Sequence, residues 1–398
     1  MELLIKHLRW KSRHDEGSGD LRLGQGRVLG TGQGLAPRNG ERVLDGSGYL
    51  ALPGLINSHE HMGLNLFARL GSPPYPNAYA WGQDIYKPAE SPICDILDVP
   101  LADRLRWTAL KSLVSGVTTV VHHDPYYAAI FDDSFPIKVL KEYAWSHSLG
   151  FGSADDLLSA CHRAVPFMIH AGEGVDEVAG GEVEELARRG ALFSRTVLVH
   201  ALALSNAQIE LLSRLRCSVV WCPSSNLHLF GRTAPVDQLL GRVPVALGTD
   251  STLSGAPTML DELGIAQATG LATAEQLLDM VTTGAAAIFG ITDGRGTLAP
   301  GAPADLWLIP DRGHSAAESL LDARPFDVAL VTVDGEPRLS CSGIADVLGL
   351  GPTNALVDGA PKWVSNAFTG LGERIQHTVG EALLASNPLW RRLSQRAA

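Results

Sequence analysis

The chain has 398 residues, 45% of them hydrophobic and 19% charged, which is enough apolar material for a barrel-sized domain and a smaller one beside it. With 32 basic against 43 acidic side chains the formal net charge is −11. No stretch gathers Lys or Arg strongly enough to reverse that sign, so nucleic acid and anionic membrane surfaces are excluded as expected partners.

The five cysteines are scattered without a C-x-x-C pair, the usage of reduced thiols in a cytoplasmic protein. The opening "MELLIKHLRWKSRHDE" has no cleavable apolar stretch, and charges interrupt every apolar run well short of a membrane span. A soluble, cytoplasmic protein is therefore expected. Residues 1–52 are Gly-rich with short alternating pieces, "DLRLGQGRVLGTGQG" and "ERVLDGSGYLALPG", which predict short antiparallel strands and tight turns. Gly30, Gly32 and Gly34 lack a preceding buried strand and a G-x-G-x-x-G frame, so they are turn residues and not a dinucleotide loop.

From 53 to 297 the texture changes. Apolar runs recur in "GVTTVVHH", "PFMIHAGE", "TVLVHA", "SVVWCPSSN" and "VPVALGTD", separated by stretches with i, i+3, i+4 apolar spacing such as "VEELARRGAL", "NAQIELLSRLR" and "DDLLSACHRA". Short β-branched runs alternating with helices imply parallel strands buried on both faces. A unit of roughly 25–30 residues fits a distorted (β/α)8 TIM barrel, with a doubly wound open sheet as the alternative. "GRGTLAPGAPADLWLI" and "VALVTVDGEP", within 298–345, return to strands and turns and are expected to join 1–52 in one small β-sandwich domain. Residues 346–398 are expected to form a C-terminal helical extension.

The polar residues that close the apolar runs make a pattern. They are His59 and His61 after "GLINS", His170 after "PFMI", His200 after "TVLV" and Asp250 after "VALGT". In a parallel barrel these positions share one rim. Residues i and i+2 of a strand point the same way, so His59 and His61 can grip one ion while Glu60 points elsewhere. Three imidazoles and a carboxylate make a mixed N/O site suited to Zn²⁺ or Fe²⁺ with a position left for water. A strand-end histidine taken singly is usually structural; five such residues at successive strand ends are not coincidence.

These residues make the chain resemble the amidohydrolase superfamily, in particular its branch of aromatic deaminases and chlorohydrolases. The matching pieces are "PGLINSHEH", "HAGE", "VHALALSNAQIELL", "CPSSNL", "VALGTDS" and "TTGAAAIFGITDGRGTLAPGAPADLWLI", covering most of 45–310. The resemblance implies one divalent metal ion, Zn²⁺ favoured over Fe²⁺, held by His59, His61, His170 and Asp250. It implies Glu173, three residues after His170, as the catalytic carboxylate and His200 as the imidazole that contacts the attacking water or the substrate. Asp250 would also collect the proton of that water. The branch lacks a bridging carbamylated lysine, and no lysine here closes an apolar run between the second and fifth strands. The alternative for Glu173 is a solvated first-turn carboxylate, and for Asp250 a helix N-cap.

One departure from the family pattern lies between "VVHHDP" and "PFMIHAGE", where two strand–helix units normally fit. We assign "PIKVL" to the third strand and "YAWSHSLGF" to the fourth, which puts His147 at a strand end as a substrate contact. The loop "NLFARLGSPPYPNAYAWGQDIY" follows the first strand and is rich in Pro and aromatics, so Tyr79, Trp81 and Tyr86 can stack on a flat ring. His122 or His123 and Asn226 can add hydrogen bonds, and Trp81, His123, His147 and Asn226 are the expected substrate-binding set.

The expected function is hydrolytic deamination of an amino-substituted heterocycle. Cleavage of a cyclic amide, or displacement of chloride or an alkylamine, is the alternative on the same scaffold. A non-enzymatic barrel would have lost ligands that are all present. The zinc deaminases marked by H-x-E and P-C-x-x-C are excluded, since Cys222-Pro223 has the reverse order. The expected partner is a small heterocyclic molecule, with a homodimer or higher homo-oligomer as the assembly.

Overall fold

The computed structural model describes residues 1–12, 15–151, 157 and 165–393. The helical stretch expected at "DDLLSACHRA" and Cys161 fall outside them; the other four cysteines are unpaired. No helix among the described residues is long and apolar enough to cross a membrane.

The chain opens with β1 (Leu3–Ser12), β2 (Asp15–Gly24), β3 (Arg27–Gly32), β4 (Arg42–Asp45) and β5 (Tyr49–Pro53). β1 pairs antiparallel with β2 along one edge, while its other edge is shared by β4 at Leu3–Lys6 and by β5 at Arg9–Trp10. The register slips between Ile5 and Leu8, where His7 has φ 59°, so the strand bends and turns the sheet back on itself. The enclosed core includes Leu3, Ile5, Leu21, Leu23, Leu306 and Leu308.

The barrel strands follow. They are β6 (Leu55–Glu60), β7 (Val117–His122), β8 (Lys138–Val139), β9 (Ala144–Ser148), β10 (Phe167–Ala171), β11 (Thr196–His200), β12 (Ser218–Trp221) and β13 (Val245–Leu247). They form two parallel ladders, β6-β7-β8 and β9-β10-β11-β12-β13. Every residue of β10, β11 and β12 is buried, as strands covered by helices on one side and barrel interior on the other require. Between β8 and β9 no ladder forms among the described residues, and β8 is only two residues long. The other seam is held by the Asp250 N–H donating to His59 O at 3.1 Å and the Thr249 N–H donating to Asn57 Oδ1 at 3.1 Å. The helix Asn206–Leu215 opens on a Ser205/Gln208 capping box and ends at Arg216 in the left-handed conformation, so "NAQIELLSRLR" is delimited by local chemistry.

The chain then returns to the first sheet through β14 (Leu306–Pro310), β15 (Leu330–Val333) and β16 (Glu336–Cys341), with β14 antiparallel to β5 from Tyr49 to Pro53. The fold is thus the distorted (β/α)8 barrel with a small β-sandwich domain built from both parts of the chain. Trp307 of β14 is fully buried and rests on Gly116, whose φ is +74° and where an added Cβ would lie 2.4 Å from the indole. Only glycine allows that approach, which fastens the sandwich to the start of β7.

The last segment differs from the expected helical extension. β17 (Ala355–Val357) and β18 (Ala360–Val364) form a hairpin that adds to β16, extending the sheet to ten strands. Its turn is Asp358-Gly359 with both φ values positive, the conformation a two-residue hairpin favours. The helices Leu371–Val379 and Pro388–Leu393 come after it. Arg374 grips Asp103 with two hydrogen bonds of 2.8 and 3.0 Å, and Arg392 grips Asp261 at 2.8 and 2.9 Å. Asn387 is fully buried; its amide donates to Asn65 O and Phe67 O, and its Oδ1 accepts the Leu389 and Trp390 N–H groups.

Candidate metal centre

The strand ends place their histidines in one buried cluster. His61 Nε2 lies 3.3 Å from His170 Nε2, which in turn lies 3.3 Å from His59 Nε2. Asp250 Oδ1 faces the same point, 3.7 Å from His59 Nε2 and 4.0 Å from His61 Nε2. The other ring nitrogens look outward. His61 Nδ1 is 3.1 Å from Asp124 Oδ2 and His170 Nδ1 is 2.7 Å from His147 O. Both partners only accept, so each Nδ1 carries the proton and each Nε2 turns a bare lone pair inward.

Lone pairs packed this closely repel unless a cation sits among them. The donor set, imidazoles with a carboxylate, is that of Zn²⁺ or Fe²⁺. Burial pushes His59 down to about 3 and His170 well below the usual imidazole value, so both are neutral as ligands must be. For His61 burial acts in the same direction, but the Asp124 carboxylate outweighs it and raises the ring to about 9. Without an ion His61 therefore carries a second proton, on Nε2, and must release it before that nitrogen can act as a ligand.

The fourth donor admits two choices by distance alone. The nitrogens of His59, His61, His123 and His170 lie within 4.8 Å of one another. His123, however, meets His59 on its opposite nitrogen, Nδ1 to Nδ1 at 3.3 Å, whereas Asp250 shares the Nε2 side. On the Nε2 side of His59 the neighbouring acceptor is Asp250 Oδ1, while His123 lies on the Nδ1 side.

Asp250 is held from behind. Ser225 Oγ at 2.9 Å and Ser254 Oγ at 2.7 Å both donate to its Oδ2. Burial raises its carboxyl, yet the facing histidines win and keep it below the usual carboxylate range. Its φ is 55°, and His200 has φ 72°: two non-glycine residues in the left-handed region, both at strand ends of this rim.

Beyond the cluster lie the remaining expected residues. Glu173 Oε1 stands 3.5 Å from His200 Nε2, and its carboxyl is held well above the usual range, first by burial and then by the charges of Asp250 and Glu182. His200 Nδ1 is fixed on Asn226 Oδ1 at 2.8 Å, and burial lowers the ring. A small cavity is lined by Ala78, Tyr79, His147, Phe151, His170 and Glu173. His147 lies in β9 and opens towards solvent, with its ring 4.8 Å from that of His170.

Three expected substrate contacts are otherwise engaged. Trp81 donates its indole N–H to Leu70 O, Asn226 is fully buried against His200, and His123 is fully buried with both ring nitrogens on protein groups. His122 faces the Glu60 carbonyl, away from the cluster, and Tyr86 is 70% exposed.

Sequence reasoning missed the support beneath the site. Glu60, between the two histidines, pairs at 2.6 Å with Lys111 of the helix Leu101–Leu113, and both are buried. Lys111 also reaches Asn65 Oδ1 at 2.9 Å and Thr249 Oγ1 at 3.2 Å. Glu182 accepts the Gly172 N–H at 2.7 Å and the Tyr79 hydroxyl, bracing the turn that carries Glu173. A buried charge is visible in sequence only when its partner is near in the chain, and these partners are 51 and 103 residues away.

The family model described as "Amidohydrolase family" matches residues 138–338. A 5-methylthioadenosine/S-adenosylhomocysteine deaminase of Syntrophobacter fumaroxidans is 30% identical over 362 residues, covering 75% of this chain and 81% of that protein. The 5'-deoxyadenosine deaminase of Methanothermobacter thermautotrophicus is 25% identical, covering 80% of this chain and 88% of that one. Among solved structures, a zinc-bound adenosine deaminase from Xanthomonas campestris superposes with TM-score 0.72 at 20% identity, covering 94% of this chain and 99% of that one. Zinc-bound atrazine chlorohydrolase from Arthrobacter aurescens gives 0.71 at 18% identity, over 87% and 98%.

Proposed function

Because the chain belongs to the amidohydrolase family, we propose that it is a metal-dependent hydrolase of carbon–nitrogen bonds that deaminates an amino-substituted heterocycle. The observation that carries this reading is the convergence of His59, His61 and His170 Nε2 with Asp250 Oδ1, next to the Glu173–His200 pair. Zn²⁺ is the ion we infer, since three imidazoles with one carboxylate suit it and the fold neighbours named above hold it. When bound, such an ion supplies a water acidified to a pKa of about 7.

The chain's own groups do the rest. Asp250, kept ionised, takes a proton from the attacking water. Glu173, kept protonated, gives its proton to the ring nitrogen that receives the C=N electrons as the C–O bond forms. His200, anchored by Asn226, accepts a hydrogen bond from the water and orients it. Asp250 then hands its proton to the amino group, the C–N bond breaks and ammonia leaves, and the new hydroxyl returns a proton to Glu173 as the ring carbonyl forms. His147 and Tyr79 face the cavity where the rest of the ring system would lie.

The relatives named as deaminases of adenosine derivatives put 5'-substituted adenosines first in a screen. The test is metal analysis by mass spectrometry, then ammonia release across aminated purines, pyrimidines, pterins and triazines. About one zinc per chain, with ammonia formed in step with product, is the expected result. Full turnover after complete removal of divalent ions would overturn the reading. Release of chloride or an alkylamine without ammonia would favour the second reading, to which the likeness to atrazine chlorohydrolase points.

A further inference from the structure

His123 has no place in the chemistry above, yet it is fully buried one ring away from it. Its Nε2 lies 3.0 Å from Ser146 O and its Nδ1 lies 3.3 Å from His59 Nδ1. A carbonyl only accepts, so His123 carries its proton on Nε2 and offers the lone pair of Nδ1. The nitrogen it meets must then be the donor, which puts the His59 proton on Nδ1 and leaves His59 Nε2 bare, aimed at His170 and Asp250. His61 and His170 have their protons fixed by a carboxylate and a carbonyl; His59 has only this second imidazole to do it.

The contact also spans the weak seam of the barrel. His123 directly follows β7 and Ser146 is in β9, so the ring bridges the strands on either side of the two-residue β8. The Trp145 ring meets His123 edge-on at 5.7 Å and limits its rotation.

We propose that His123 is a positioning residue for His59: through the chain Ser146 O, His123, His59 it sets which His59 nitrogen faces the ion, and it touches neither ion nor substrate. This rests on the functional reading above, in which His59, His61, His170 and Asp250 hold the ion.

The test measures the affinity of metal-free protein for Zn²⁺ by competition with a chromogenic chelator, and the ligand-field spectrum with Co²⁺. His123→Phe keeps the ring volume and removes both nitrogens, and affinity falls about 10–100-fold, the effect of losing such a partner. His123→Gln retains an acceptor and a donor and recovers most of the loss. His123→Met retains neither and behaves as the Phe variant does, so the comparison survives if the Phe variant fails to fold. The Co²⁺ spectrum keeps its shape throughout, because no ligand has changed. Parent-like affinity in Phe and Met variants that unfold at the parent's temperature when metal-free would overturn the proposal. So would a changed Co²⁺ spectrum, which would make His123 a ligand. Failure of the parent to bind either ion would instead bring down the functional reading.

Discussion

Replacing Lys111 by Met tests how the floor of the site is held together. Lys111 Nζ contacts Glu60, Asn65 and Thr249, and Glu60 in turn receives Asn65 at 2.9 Å, Asn57 at 3.2 Å and Thr249 at 2.7 Å. Two opposite charges about 4 Å apart at an effective dielectric of about 20 attract by about 4 kcal/mol. Deleting one partner leaves the other buried and unpaired, a loss of about 3–5 kcal/mol. An unfolding entropy of about 2.1 cal/mol/K per residue gives about 0.8 kcal/mol/K for a chain this long, so Tm should fall by about 4–6 °C. Calorimetry on metal-free protein reads this directly. Glu60→Gln combined with Lys111→Met removes both charges and keeps an acceptor oxygen for only one of the two sides that Glu60 now serves, so the double variant should recover part of the loss. A single variant as stable as the parent, or a double variant worse than the single, would refute the charge-pair account and leave only shape.

Three further outcomes follow from the geometry. Asp250→Asn should keep the ion but lose turnover, read by metal analysis beside the rate, because the amide still faces the histidines yet cannot take a proton; a fully active variant contradicts the assigned role. Glu262 is buried, accepts the Ser224 N–H at 2.8 Å, and is pushed up by burial to about 8. Its folded pKa is raised, so its contribution is present below the unfolded value of about 4.3 and is lost as pH rises through about 8. Glu262→Gln should therefore melt higher than the parent at pH 8 and lose that advantage near pH 4, and an equal gain at both would exclude titration as the cause. Asn387→Ala strips the N-cap of the last helix and two donors from the loop after His61, costing about 1–3 kcal/mol in melting experiments; an unchanged Tm would show that the extension does not secure that loop.

Much of the molecule was readable in advance, and the failures have physical reasons. Strands buried on both faces announce themselves as apolar runs, and a polar residue closing each run marks the rim, which is why His59, His61, His170, His200 and Asp250 meet. Local signals were sufficient for the helix at 206–215 because its caps, Ser205 and Arg216, directly flank it in sequence. The hairpin at 355–364 carried an equally local signal in Asp358-Gly359, but surrounding helical texture concealed it. The hydrogen-bond partners of His123 and Asn226 were not readable. Each bonds to a neighbour far away in sequence, and a buried histidine with its nitrogens committed looks, letter by letter, like one that greets a ligand.

The joint between β13 and β6 has a thermodynamic corollary. The backbone bond that closes this side of the ring runs from Asp250 to His59, two of the residues assigned to the ion. Capture of a cation there would clasp the first staves of the barrel to its last. Ring closure and ion uptake then become a single linked equilibrium, and at a free-ion level a hundred times the Kd the clasp strengthens the whole fold by about 2.7 kcal/mol. The melting temperature of this protein would then double as a gauge of how much metal its surroundings supply.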